Sequence, residues 1–314
     1  MRWRKMDILD KLVALSQVSG SVDVQCLFQG EWYVRHEARR GQGLVHIVTG
    51  GEGWLKADAD DKARRLRAGD VVFFPRTADH VLSSEADCAN SGAAVVSERS
   101  GAFTLKRSGE GAADLSLFCA RFAYDTQADL MAGLPETVLL DMRGTPLPHL
   151  VSLLQAEADR PQPGSKAVVD ALSAVLLVSL VRVFLAEHPV RPLPEGLLKG
   201  WRDRRLRGVI QAVLDDPARA WTIEEMADAA TVSRAQLMRL FKAHTGTSPY
   251  AFVNRIRLQQ AAAMLKQSAD SVLAVALACG FGSETHFGKA FKKAYGLTPG
   301  QYRKQADAAE DFVI

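Results

Sequence analysis

The segment VSRAQLMRLFKAHTGTSP, Val232 to Pro249, returns fifty residues downstream as GSETHFGKAFKKAYGLTP, Gly282 to Pro299. Ser233, Phe241, Lys242, Gly246 and Pro249 recur at the same offset as Ser283, Phe291, Lys292, Gly296 and Pro299. Self-similarity at this period marks a duplicated supersecondary unit, so the C-terminal part of the chain is confined to two copies of one small fold.

Each copy reads as helix, tight turn, helix. Thr222 and Glu225 form a capping box that opens a short helix at about Ile223. AATV makes the turn, Ser233 with Gln236 forms a second capping box, and the next helix carries Leu237, Leu240 and Phe241 on one stripe. That leaves Arg234, Ala235, Gln236, Met238, Arg239 and Lys242 for the other side. In the second copy Ser283 caps a helix that turns Phe287, Ala290 and Phe291 inward, and Glu284, Thr285, His286, Gly288, Lys289 and Lys292 outward. Ala227 to Ala276 spans 49 positions but Ser233 to Ser283 spans 50, so the second turn is one residue longer, which Gly280 accommodates. Between the copies YAFVNRIRLQQAAAMLKQS reads as one long helix that fixes their separation.

Two such units on a rigid spacer suit duplex DNA, because each offers one helix to a major groove and groove segments on one face recur about every 34 Å. Charge agrees: residues 199 to 304 hold seventeen Lys and Arg against eight Asp and Glu, although the whole chain is only +3. Arg239 and Lys289 occupy corresponding places and are expected at base edges, with Lys242 and Lys292 on phosphates.

The N-terminal region has another texture. HIVTGGEGWLKAD and RRLRAGDVVFFPRTADHVLSS are short β-rich runs separated by Gly and Asp turns, as in an antiparallel barrel or sandwich. His46 and His80 stand either as metal ligands or as hydrogen-bonded interior residues of a pocket lined by Trp54, Phe73 and His80. Cys26 and Cys88 also have two readings: small buried hydrophobes, or an exposed Cys88 with Cys26 as its resolving or ligating partner and Arg35, Arg39 or Arg76 favouring the thiolate. Thiolate with imidazole would suit copper or another transition metal, with no cofactor fixed by the sequence. Four cysteines without a C-x-x-C pair, and a start without a secretory signal, fit a cytoplasmic protein, with Met1 and Met6 both open as initiator.

Residues 146 to 187 return to helix. The stripe Leu172, Leu176, Leu180 and Phe184 is expected to form a homodimer interface, with packing inside its own chain as the alternative. The apolar run from Ala171 to Val181 is shorter than the about twenty residues of a bilayer span, so no membrane partner is expected. PVRPLPEG reads as the domain linker.

The stretch from Trp221 through Tyr302, including MADAATVSRAQLMRLF, AVALACGF and FKKAYGLTPGQYR, resembles the AraC/XylS family of bacterial transcription regulators. RAGDVVFFPRTADH is similar to the cupin pattern G-x5-P-x-G-x2-H, with Gly69, Pro75 and His80 in place and Thr77 where a glycine would stand. In metal cupins an H-x-H pair and a Glu join that histidine. Here Val48 replaces the second His and Glu52 lies in a loop, so His46 and His80 are the ligand set left.

The resemblance implies an α+β multidomain protein: a cupin-like antiparallel β-barrel sensor over 1–135, a helical coupling and dimerisation segment with linker over 136–198, an AraC-type DNA-binding domain with two helix-turn-helix units over 199–305, and a tail over 306–314. MDILDKL, VQCLFQGEWYVRHE, GLVHIVTGGEGWL and LPETVLL are similar to family members that activate a multidrug-efflux operon, and less closely to members that sense hypochlorite through cysteines. This implies a homodimeric activator that binds promoter DNA, contacts RNA polymerase, and answers to a small hydrophobic antimicrobial, an oxidant or copper. The alternative, a cupin metal-dependent oxygenase fused to a DNA-binding module, would need a fuller ligand set.

Overall fold

The computed structural model describes residues 6–58, 60, 62–89, 94–187 and 193–310. In chain order the elements are α1 (Ile8–Ser16), β1 (Ser19–Phe28), β2 (Tyr33–His36), β3 (Gln42–Ala57), β4 (Arg64–Arg67), β5 (Asp70–Phe74), β6 (His80–Ser83), β7 (Val96–Ser100), β8 (Phe103–Ser108), β9 (Leu115–Ala123), α2 (Asp129–Ala132), β10 (Val138–Asp141), α3 (Leu147–Asp159) and α4 (Ser165–Glu187). Then come α5 (Leu197–Arg202), α6 (Arg204–Asp215), α7 (Ile223–Ala230), α8 (Arg234–Thr245), α9 (Pro249–Gln267), α10 (Val272–Ala278), α11 (Glu284–Tyr295) and α12 (Pro299–Glu310).

These elements sort into two compact units that do not follow chain order. One gathers 1–17, 125–133 and 192–314, and the other 18–124 and 134–191. The expected cut at 135/136 therefore separates the wrong partners: α1 and α2 belong with the C-terminal helices, and α3 and α4 belong with the sheet.

The β unit is a curled sheet with the order β10-β5-β3-β9-β1-β8-β7, antiparallel except for the β1–β8 pair. The 16-residue β3 makes the curl, because its first half pairs with β5 and β9 and its second half with β4 and β6. A bulge between Val48 and Gly50 shifts its register against β9. An extra residue there inverts the alternation of faces. Val48 and, past the bulge, Leu55 and Ala57 all join the inner core with Phe28, Trp32, Phe74, Leu82 and Leu117.

Helix α4 lies along β1, where the Ser173 hydroxyl accepts from the Val22 N–H at 2.8 Å and donates to the Val169 carbonyl at 2.6 Å. Leu176, Leu180 and Phe184 are fully buried within the chain. They therefore cannot form the exposed dimer stripe expected of them; only Leu172 is half-buried, beside the exposed Val168 and Val175. Residues 165–186 of this helix are also long and apolar enough to cross a membrane, which the shorter run in the sequence did not suggest. Packing of one face on the sheet gives that apolar character a different reason.

In the helical unit the duplication appears as anticipated. Thr222 and Glu225 close a reciprocal capping box; Ser233 and Ser283 cap α8 and α11 by accepting from the N–H of Gln236 and His286. Gly246 and Gly296 end both helices in the left-handed region. Gly280 sits in the longer second turn at φ 81°, where a Cβ would stand 2.6 Å from the Ala218 carbonyl oxygen. Phe241 packs on Phe252 in the first copy, and Phe287, Phe291, Tyr295 and Tyr302 form the aromatic core of the second.

Helix α1 and the segment 125–133 are built into this unit by polar bonds. The fully buried Lys11 pairs with Asp215. The Tyr295 hydroxyl donates to Asp125 at 3.0 Å, the Gln127 amide donates to the Ala294 carbonyl at 3.0 Å, and Arg255 pairs with the buried Asp129 at 2.9 Å.

Candidate sensor site and nucleic-acid interface

Strand pairing brings three imidazoles together inside the curled sheet. β2 sets His36 opposite His80 of β6, and β3 sets His46 opposite Cys119 of β9. One ring nitrogen from each of His36, His46 and His80 lies within 4.8 Å of the others. The His36 and His80 rings stack at 4.7 Å, and Phe74 covers the other face of His80 at 4.3 Å. His36 was missed in the sequence because its place depends on a β2–β6 pairing that no local spacing announces. The only signal was its position at the end of a short β-rich run, YVRH.

The hydrogen bonds form a chain. His80 Nδ1 donates to the Ala78 carbonyl at 2.6 Å, which leaves its Nε2 as an acceptor facing His46 Nε2 at 2.8 Å. His46 Nε2–H therefore donates to His80, and His46 Nδ1 accepts from the Cys119 thiol 3.1 Å away. Cys119 in turn lies 4.0 Å from Cys26, sulfur to sulfur. His36 Nδ1 is buried without a hydrogen-bond partner.

Charge is kept off the cluster. Burial, then His80, Lys106 and Arg121, holds His36 at about 3, and burial takes His46 well below the ordinary imidazole range. His80 is lowered by burial too, against the Ala78 hydrogen bond and Asp58. Neutral imidazoles have lone pairs free for a metal. Hydrogen bonding with Cys26 and burial push the Cys119 thiol well up.

Several expected members lie elsewhere. Glu52 is on the surface, paired with Arg65, and Val48 is core. Trp54 and Phe73 do not line a pocket with His80: Phe73 is the β-neighbour of Val45, on the face opposite His46, and Trp54 alternates with the inward Leu55. Phe74 takes the place foreseen for Phe73. Cys26 finds Cys119 rather than Cys88, which sits half-buried in the turn after β6 with its pKa raised by burial rather than lowered by arginines.

On the helical unit Arg234, Ala235, Met238, Arg239 and Lys242 of α8 are exposed, and Gln236 is half-buried. Arg234 is held by Glu224 at 2.5 Å and Lys242 by the Gly246 carbonyl at 2.9 Å. On α11 Glu284, Thr285, His286, Lys289, Lys292 and Lys293 are exposed. Basic side chains project from the solvent side of both second helices.

Residues 7–186 match the family described as Cupin, and residues 226–305 the family described as Helix-turn-helix domain. The chain is 53% identical over 300 residues to the HTH-type transcriptional regulator MtrA of Neisseria gonorrhoeae, covering 96% of this chain and 99% of that one. It is 30% identical to the RCS-specific HTH-type transcriptional activator RclR of Escherichia coli K12, covering 96% and 98%. Among solved structures it is similar to the DNA-binding domain of AdpA in complex with a target DNA, at 31% identity and a TM-score of 0.32 over 32% of this chain and 91% of that one.

Proposed function

The chain belongs to the AraC-type transcription regulators that carry an N-terminal cupin domain, and on that footing we propose that it is a homodimeric, cytoplasmic promoter activator controlled by copper(I) at His36, His46 and His80. The convergence of three uncharged imidazoles, His46 and His80 buried and His36 half-buried, carries this reading. Three imidazoles with sulfur beside them are a donor set for a soft or borderline transition ion, and among the described residues no carboxylate joins them for a hard cation.

When bound, the ion would take the electron pairs that His46 and His80 now direct at one shared proton. His46 would then carry its proton on Nδ1, donate it toward Cys119, and keep its ring orientation. Cys119 meets the far nitrogen of His46 and so supports the cluster from behind. In the DNA half α8 and α11 enter successive major grooves, with Arg239 and Lys289 toward the bases. RNA polymerase is the partner of the activated complex. The exposed Val168 and Val175 beside Leu172 on α4 supply the homodimer surface.

A second reading has its own observation, the 4.0 Å approach of Cys26 to Cys119. A two-electron oxidant would take two electrons and two protons from these thiols to form a disulfide. Genome-wide footprinting with and without copper separates the two: copper-dependent occupancy that is lost in His46→Ala and kept in Cys26→Ser is the expected result. Occupancy indifferent to copper would refute the metal reading.

A further inference from the structure

Beside the imidazole cluster the curled sheet opens into a cavity of 230 Å³ walled by Arg35, His36, Glu37, Arg39, Lys106 and Arg121. That volume holds about eight waters at roughly 30 Å³ each, so its occupant is small.

The cations of this wall are poorly compensated. Arg35 is paired with Asp58 at 2.6 Å, whereas none of Arg39, Lys106 and Arg121 has a carboxylate partner among the described residues. Setting Glu37 and Asp58 against two of the four cations still leaves two positive charges. Lys106 is the strand neighbour of the inward-facing Cys26, and Arg121 lies two positions beyond the inward-facing Cys119 on β9. Both therefore lie on the inner side of the curled sheet, Lys106 half-buried and Arg121 exposed. Inward charges can serve to blunt a sheet edge, but β8 and β9 are both interior strands, so that purpose does not apply. A concave site with convergent like charges and one uncharged ring, His36, in its wall is built to receive the opposite charge.

We propose that this cavity binds a small organic anion, with a carboxylate or phosphoryl head that meets Arg39, Lys106 and Arg121. Because His36 belongs to both the cavity wall and the imidazole cluster, the anion lies next to the proposed metal position. Its binding stands on the cavity alone, and only its regulatory meaning rests on the sensor reading above.

The test uses full-length protein stripped of metal by chelation and titrated by calorimetry at low salt with inorganic phosphate, with succinate, and with the neutral succinamide. At least one anion should bind and succinamide should not. Binding of phosphate alone or succinate alone names the head group. Lys106→Gln with Arg121→Gln should weaken binding about tenfold or more, since charge-assisted hydrogen bonds are lost. Lys106→Arg with Arg121→Lys should retain it, as should the surface control Arg99→Gln. No binding of either anion, equal binding of succinamide, or an undiminished neutral double variant would overturn the proposal. Copper is titrated into the same metal-free protein in a separate experiment without anion, so failure of the metal reading shows separately.

Discussion

Replacing Lys242 and Lys292 together with alanine should change how DNA binding depends on salt. Both lysines are exposed, one on α8 and one on α11, and each is proposed to sit over a phosphate. Each phosphate contact contributes about 0.9 to the slope of log affinity against log salt, so the double variant should lose about 1.8. Over a fourfold rise from 50 to 200 mM salt, that difference means the advantage of the natural protein shrinks about tenfold. A random duplex suffices, because phosphate contacts carry no sequence information. Fluorescence anisotropy at four salt concentrations gives the slope. Lys166→Ala, which alters an α4 lysine paired with Asp170, is the control and should leave the slope unchanged. Parallel lines for the natural protein and the double variant would mean that these lysines do not meet phosphates, and the groove assignment of α8 and α11 would fall.

Leu176→Ala should cost about 2 to 5 kcal/mol in urea unfolding, as for a buried leucine, whereas Leu153→Ala, exposed on α3, should cost within about 0.5 kcal/mol; equal costs would contradict the packing of α4. Gly280→Ala should destabilise the helical unit by about 1 to 3 kcal/mol, since it forces an alanine to φ 81° and against Ala218, and an unchanged melting temperature would refute this. Acid should weaken metal-free protein through His36: with a folded pKa of about 3 against 6.5, only the unfolded chain gains the proton first, so stability is full above the unfolded value and falls as pH drops toward 3. At pH 5 the loss is about 2 kcal/mol for this residue, so the drop from pH 7.5 should be smaller in His36→Gln, and equal drops would refute it.

The helical half was legible because its information is local. Caps, turn glycines and an apolar stripe at helical spacing lie within twenty residues of one another, and Ser233, Phe241 and Gly246 fall where their spacing placed them. The sensor site was legible only in part, because a sheet is specified by distant pairings. His46 and His80 stood out through their motif, but His36 and Cys119 join them only through β2–β6 and β3–β9. Phe73 and Phe74 are adjacent with opposite faces, and the sequence does not say which turns inward. The bulge after Val48 likewise breaks any extrapolation along β3 to Trp54. Equally hidden was the partnership of α1 with α6, which leaves no trace in either segment's own pattern.

That last partnership bears on how the protein is made. Lys11 and Asp215 are separated by 204 positions, yet they pair within one compact unit. At a synthesis rate of about 5 to 20 residues per second, α1 emerges from the ribosome about 10 to 40 s before its partner exists. For that interval Ile8, Leu12 and Leu15, buried in the finished protein, have no surface to cover them. The DNA-binding unit can close only after nearly the whole chain has been made, with the strands from Val18 to Tyr124 already emerged between its two earliest pieces. A nascent chain stalled before Asp215 would carry an unsatisfied N-terminal helix, a natural target for chaperones, and a fragment that begins at residue 199 would lack the helix that its own α6 was shaped to hold.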